Sequence, residues 1–194
     1  MTRLIAGFAG SQTLAVPRTG TRPTSDRVRE AVYSALEARD AVDDARILDL
    51  YAGSGALGLE AASRGARLVT LVEKNGDAAA VCRRNAEAVI RAAPKSARPQ
   101  IGVTTQPVQS FLDASRAEFD VVFVDPPYDL GETELEHNLA ALAPLLAEDA
   151  IVIVERSSRS PEPRWPAGIE LDRRRNYGET VLWWAQPAEP SQPE

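Results

Sequence analysis

Along the chain, short runs of apolar residues alternate with stretches whose apolar positions recur every three or four residues. The first pattern reads as strand and the second as helix. "RILDLY" (46–51) predicts a first strand, and the segment after Gly55 predicts a helix that "RGA" (64–66) ends. "RLVTLVE" (67–73) predicts a second strand, followed by a helix from about Asp77 to Arg91. Past the Pro-rich loop "AAPKSARPQ", a short strand falls near "IGVTT". "FDVVFVD" (119–125) carries β-branched and aromatic residues on both faces, the pattern of a strand buried between two layers. A helix is predicted over about 133–147, a strand at "AIVIVER", and two strands joined by a turn at "NYGE" within "IELDRRRNYGETVLWWA". This alternation predicts an α/β fold with a mostly parallel sheet and helices on both faces. The closing hairpin predicts one antiparallel strand at or near an edge.

The first 25 residues break the alternation. Gly7, Gly10, Pro17 and Gly20 punctuate short apolar stretches, which predicts a small hairpin arm over 1–25, packed on a core domain over 26–186. The end of the chain, 187–194, lies in the Pro-rich, acidic "QPAEPSQPE" and is expected to be disordered.

With 194 residues, 44% hydrophobic and 26% charged, the chain has the size and composition of one globular domain. The single cysteine, Cys82, lies in the apolar-periodic "AAAVCRRNAEAVI" and reads as a buried, inert thiol. No secretory h-region opens the chain and no apolar run reaches the roughly 18 residues of a membrane span, so a cytoplasmic protein is expected. A net charge of −6 excludes an indiscriminate nucleic-acid binder. The charge is uneven, however. Residues 1–25 hold Arg3, Arg18 and Arg22 and no acid, and Arg173, Arg174 and Arg175 form a second basic run. Together they leave room for a local phosphate-binding face on an acidic protein.

Candidate chemistry begins in "LDLYAGSGALGLEA" (48–61). Gly53, Gly55 and Gly58 fit a G-x-G-x-x-G turn between strand and helix, and Glu73 follows twenty positions after Gly53, where a ribose-holding carboxylate is expected. Such a turn brings backbone and a helix N-terminus close to a ligand. Asp49 distinguishes the possible ligands. A carboxylate there repels the pyrophosphate of NAD but suits an ammonium and a sulfonium, as in S-adenosyl-L-methionine. Alternatively it serves as a helix cap or loop acceptor. "VFVDPPYDL" decides in favour of methyl transfer. Asp125-Pro126-Pro127-Tyr128 follows a buried strand, at the sheet's carboxyl edge, and resembles motif IV of the methyltransferases that modify exocyclic or amide nitrogens. The Asp125 carboxylate and the Pro126 carbonyl can accept the two N–H bonds of an amine whose lone pair is otherwise delocalised. Prolines fix these acceptors in advance, and Tyr128 offers a face on which a base stacks.

The motifs "RPTSDRVREAVYSAL", "LDLYAGSGALGLEA", "LVEKN", "DPPYDL" and "YGETVL", in this order, make the chain similar to the RsmD-type methyltransferases over roughly residues 2–184. That resemblance implies a seven-stranded class I methyltransferase sheet with an N-terminal hairpin. It also implies methylation of the N2 amine of a guanine in small-subunit ribosomal RNA, with a partly assembled subunit as substrate and a monomeric enzyme. By position it assigns Arg22, Thr24, Asp26, Arg27 and Glu30 to a segment folding over the cofactor and target pocket, with Arg22 and Thr24 on the cofactor and Arg27 toward RNA. Ser25 reads instead as a helix cap. Asp49, Tyr51, Gly53 and Gly55 match the methionine-side loop, Glu73 the ribose carboxylate, and Lys74 and Asn75 its flank. Pro107 stands where related enzymes often carry an Asp or Asn for the adenine amine, which leaves the Val108 N–H or the side chains of Gln106 and Gln109 to substitute. No metal is expected. His137, the only histidine, lies outside every motif and reads as solvated. The rival readings are an adenine-N6 nucleic-acid methyltransferase, an NAD-binding oxidoreductase and a non-catalytic cofactor-binding module.

Overall fold

A computed structural model describes residues 2–17 and 25–189. Seven strands form one sheet: β3 (Arg46–Leu50), β4 (Leu68–Val72), β5 (Gln100–Thr104), β6 (Phe119–Val124), β7 (Leu146–Ser157), β8 (Ile169–Tyr177) and β9 (Thr180–Pro187). Their spatial order is β5-β4-β3-β6-β7-β9-β8. All neighbours are parallel except β7–β9 and β8–β9. The chain builds outward from β3 to β4 and β5, then restarts on the other side with β6. The reversal leaves a crevice between β3 and β6 at the carboxyl ends of the strands, where open sheets of this kind bind ligands.

Alternation along the central strands feeds two cores. Ile47, Val121, Phe123, Ile151 and Ile153 face α1 (Asp26–Glu37), α2 (Ala56–Ser63) and α3 (Gly76–Ala92). Leu48, Val122, Val124, Val152 and Val154 face α4 (Val108–Ala114) and α5 (Glu132–Leu142). Both strand faces being covered accounts for the near-continuous apolar runs in the sequence. In α1 the buried Val28, Val32, Tyr33 and Leu36 form one stripe, and Ser25 caps it by accepting from the Val28 N–H at 3.3 Å. That is the capping role the sequence assigned to Ser25.

Two elements differ from the sequence reading. The helix expected over 133–147 stops at Leu142, passes through a 3₁₀ turn over Ala143–Leu145, and becomes β7 at Leu146. Pro144 is the reason, since it has no N–H to continue the helix and its ring clashes with the preceding turn. The seven-residue helix α4 behind Pro107 was missed, because two turns are too short to establish a period. The terminal hairpin turns at "NYGE" as expected, with Tyr177 paired to Thr180.

The arm is a two-stranded antiparallel hairpin, β1 (Thr2–Arg3) with β2 (Thr13–Leu14). It is held to the core through its backbone. The fully buried Glu60 carboxylate accepts the Ile5 and Ala6 N–H groups at 2.7 and 3.0 Å. Ser63 accepts the Ala9 N–H at 2.9 Å through its hydroxyl, while its carbonyl accepts the Phe8 N–H at 2.9 Å. Gly7 touches Ser63 so closely that a Cβ there would lie 1.8 Å from the Ser63 carbonyl oxygen. Asn85 grips both backbone groups of Ala15 and also donates to the Ser54 carbonyl at 2.9 Å. The end of the arm is thereby tied to the glycine turn.

Glu60 also receives the Arg64 Nε at 2.7 Å and lies 3.9 Å from the fully buried guanidinium of Arg29, which itself donates to the Arg3 carbonyl and to Asp26 at 2.7 Å. Removing one partner of a buried pair costs about 3–5 kcal/mol, because the other charge stays desolvated. Glu60→Ala is therefore expected to lower the melting temperature by roughly 6–20 °C for a domain of this size, at about 2–4 °C per kcal/mol. It should also expose the arm to protease ahead of the core, which limited proteolysis would read.

Candidate active site

Register places the site. Thr104 pairs with Val72, Val72 with Leu50, Leu50 with Val124, and Val124 with Val154. The next residues stand in a row, Thr105, Glu73, Tyr51 and Asp125 just past their strands and Glu155 still within β7, where it pairs with Leu182 of β9. Three of them are acids. Two residues below this row, Asp49 pairs with Phe123 on the face that carries α2. The carboxyl edge is thus strongly anionic at the crevice.

Asp49 is only 2% exposed, and its Oδ2 accepts the Gly58 N–H at 2.8 Å, within the first turn of α2. The capping role is therefore present. Burial pushes its carboxyl up to about 7, the Gly58 bond pulls it down, and the charges of Asp125 and Glu73 push it up again. A carboxyl in this position gains most from a cation beside it. Gly58 has no room for a side chain, since a Cβ would lie 2.4 Å from Leu71 Cδ2. Gly53 and Gly55 have φ of +56° and +80°, and a Cβ on Gly55 would press on the Cys82 sulfur at 2.9 Å. Cys82 is fully buried and its thiol is pushed well up by that burial, as expected of an inert packing group.

Tyr51 also adopts a left-handed backbone, φ +64°, which is costly for a residue with a side chain. Its hydroxyl accepts from the buried Asn138 amide on α5. Glu73 bridges the turn to the next element: one oxygen accepts the Gly53 N–H at 2.9 Å and the other the Asn75 N–H at 2.7 Å. Each oxygen keeps a lone pair for a further donor. Asn75 caps α3 through its side-chain oxygen, accepting the Asp77 and Ala78 N–H groups, and its own carbonyl accepts the Ala79 N–H at 2.8 Å, so its side-chain NH2 remains to donate, with Lys74 exposed beside it. Val108 is the first residue of α4 behind Pro107, so its N–H has no partner within the helix. Gln109 donates to Asp113 at 2.8 Å.

Just past β6, Asp125 opens the loop, Pro126 is buried, and Tyr128 projects with 67% of its surface exposed. The loop is clamped from β7, where the buried Arg156 donates to the Leu130 carbonyl at 3.2 Å and to Glu132. A polar hollow lies between Asp125, Tyr128, Glu155, Ser157, Ser160 and Thr180. An apolar one, between Val32, Leu57, Phe123, Ile153 and Leu182, shares Asp125 and Glu155 with it.

Among the other sequence candidates, Arg18, Arg22 and Thr24 lie outside the described residues. Arg3 and Arg27 are exposed. The run Arg173–Arg175 is not one patch: the Arg173 guanidinium stacks on Trp184 at 4.5 Å and that of Arg174 on Trp183 at 5.0 Å, on the two faces of β8. His137 is exposed. Glu155, Arg156, Asn138 and Glu60 were not singled out from the sequence. The first two could have been, since "VER" ends a buried strand just as "VFVD" does.

This crevice, with its glycine turn, Glu73 at the tip of β4 and the D-P-P-Y loop on a seven-stranded sheet, defines a class I methyltransferase. The family described as conserved hypothetical protein 95 matches residues 2–186, and the chain belongs to it, the RsmD-type methyltransferases. Ribosomal RNA small subunit methyltransferase D of Escherichia coli K12 is 37% identical over 180 residues, 92% of this chain and 86% of that protein. Its Haemophilus influenzae namesake is 33% identical over 82% of this chain and 80% of its own length. The solved structure of the E. coli protein yhhF superposes with a TM-score of 0.80 at 34% identity, covering 96% of this chain and 97% of that one. Magnesium protoporphyrin IX methyltransferase of Synechocystis, solved with bound SAM, shares the fold with a TM-score of 0.64 at 16% identity, over 87% of each chain.

The cofactor is S-adenosyl-L-methionine, and the residues present fit it. Asp49 and its acidic neighbours suit the sulfonium and ammonium, Glu73 the ribose hydroxyls, the turn at Gly53 and Gly55 the methionine backbone, and the Val108 N–H an adenine nitrogen. The raised Asp49 carboxyl gives a signed test. Its native proton is held from the ordinary carboxylate range up to about 7, so the stability it contributes is full below about pH 4 and declines as pH rises toward 7. Asp49→Asn keeps the Gly58 bond and should flatten that decline in unfolding free energy measured from pH 4 to 8. In the wild type, cofactor binding near pH 6 should release a proton, seen by calorimetry as a dependence on buffer ionisation enthalpy that Asp49→Asn lacks.

Proposed function

We propose that the protein transfers a methyl group from S-adenosyl-L-methionine to the exocyclic N2 amine of one guanine in small-subunit ribosomal RNA, within a partly assembled subunit and as a cytoplasmic monomer. The observation that carries this reading is the place of Asp125. It leaves the sheet beside Tyr51 at the switch point, on a loop that prolines stiffen and Arg156 clamps. The names of the E. coli and H. influenzae relatives supply the RNA class.

Bound in the crevice, the cofactor supplies an electrophilic methyl group on a sulfonium. The chain's part is to hold the amine. Asp125 accepts one N–H and the Pro126 carbonyl the other, which favours a pyramidal nitrogen with its lone pair turned toward the methyl carbon. The proton that nitrogen then sheds has the carboxylate as its nearest acceptor. Tyr128, exposed at the rim, stacks on a base drawn out of its helix. Arg3, Arg18, Arg27 and the Arg173–Arg175 strand are the groups to meet phosphates, with Arg3 and Arg18 on the acid-free arm best suited.

Mass mapping of ribosomal RNA from cells lacking the protein should show the loss of one N2-methylguanine. Loss of an N6-methyladenine instead would select the adenine enzyme, which would use the same loop. Asp125→Ala should lower single-turnover transfer by about 10²–10³, the usual cost of one pre-positioned electrostatic group, with cofactor affinity unchanged within a few-fold. More than about a tenth of wild-type turnover would refute the lone-pair argument.

A further inference from the structure

Asp125 has a carboxylate neighbour that methyl transfer to an amine does not require. Val124 and Val154 are paired in the β6–β7 ladder, so Asp125 and Glu155 follow side by side on strands about 4.8 Å apart. They share a face: Phe123 and Ile153, two residues back on each strand, both belong to the core under α1 and α2. Both carboxylates also line the polar hollow next to Tyr128 and the apolar slot beneath it. Glu155 is half-buried and lines both hollows, so it is partly screened from water.

We propose that Glu155 is the residue that selects guanine, by accepting the N1–H of the target base while Asp125 and Pro126 hold its N2 amine. The inference rests on the guanine-N2 reading above. In guanine the N1–H lies next to the amine on the same edge and points the same way, so an amine on Asp125 presents N1–H to the adjoining strand. Adenine, bound by its own amine, presents the N1 lone pair there instead, and a carboxylate repels it. The D-P-P-Y loop alone accepts either amine. A second carboxylate one strand along converts it into a reader of the neighbouring ring position. A partly desolvated carboxylate discriminates between a donor and a lone pair, because it attracts the first and repels the second.

The test uses full-length protein and an RNA or subunit substrate carrying either guanine or 2-aminopurine at the target position. 2-Aminopurine keeps the amine at C2 but has a lone pair at N1. The wild type should methylate guanine at least tenfold faster than 2-aminopurine in single turnover. Glu155→Gln, whose amide can either accept or donate, should cut that preference by tenfold or more while cofactor affinity stays within a few-fold. Glu155→Ala is read in the same way. A wild-type preference below threefold overturns the proposal without any variant, and so does a preference that both variants retain. If the wild type methylates an adenine and no guanine, the guanine-N2 reading itself has failed, which is a separate result.

Discussion

Parallel strands must stay in register to satisfy their slanted hydrogen-bond ladder, and that constraint sets the height at which each chain leaves the sheet. Here it sets Glu73, Tyr51 and Asp125, just past their strands, level with Glu155 in β7 and two residues above Asp49. Four acids gathered at one edge repel each other. The structure answers with backbone donors from Gly53, Asn75 and Gly58, and with an Asp49 carboxyl that gives up its charge near neutral pH. The crevice is a site that favours positive charge and N–H donors. A sulfonium cofactor and an exocyclic amine supply these between them, and a dinucleotide pyrophosphate supplies neither.

The N-terminal arm depends on a different buried charge. Glu60 lies in the middle of α2, yet it joins the arm backbone, Arg64 and Arg29 of α1. Since α2 begins at the glycine turn, the same helix aims its N-terminus at the ligand and its flank at the arm. Asn85 closes the arrangement from α3 by bonding to both Ala15 and Ser54. Arm and cofactor turn therefore form one mechanical unit.

Most of the fold could be read from the sequence because apolar period and strand length agreed along the central sheet. Reading failed where a short-range rule overrode the period, at Pro144, and where an element was too short to have one, in α4. The site divides in the same way. Gly53, Gly55, Glu73 and the D-P-P-Y loop follow one another at spacings that local geometry dictates. Glu60, Asn138 and Arg156 act through partners 54, 87 and 26 positions away, and no local pattern marks them. Asp49 was legible only in part. Its acidity was visible, whereas its bond to Gly58 depends on how α2 packs against the strand.

Because the arm is held by its own N–H and C=O groups, Ile5, Ala6 and Ala15 dock whatever side chains they carry, provided they are not proline. Among the described residues, Thr2, Leu4, Ala9 and Leu14, which are buried, and Gly7, which has no room to grow, constrain the arm's composition closely. The rest of its surface can change without disturbing the core. The fold thus offers an interchangeable cuff beside a fixed reaction chamber, and an engineer could graft a different sequence onto it and leave the core intact.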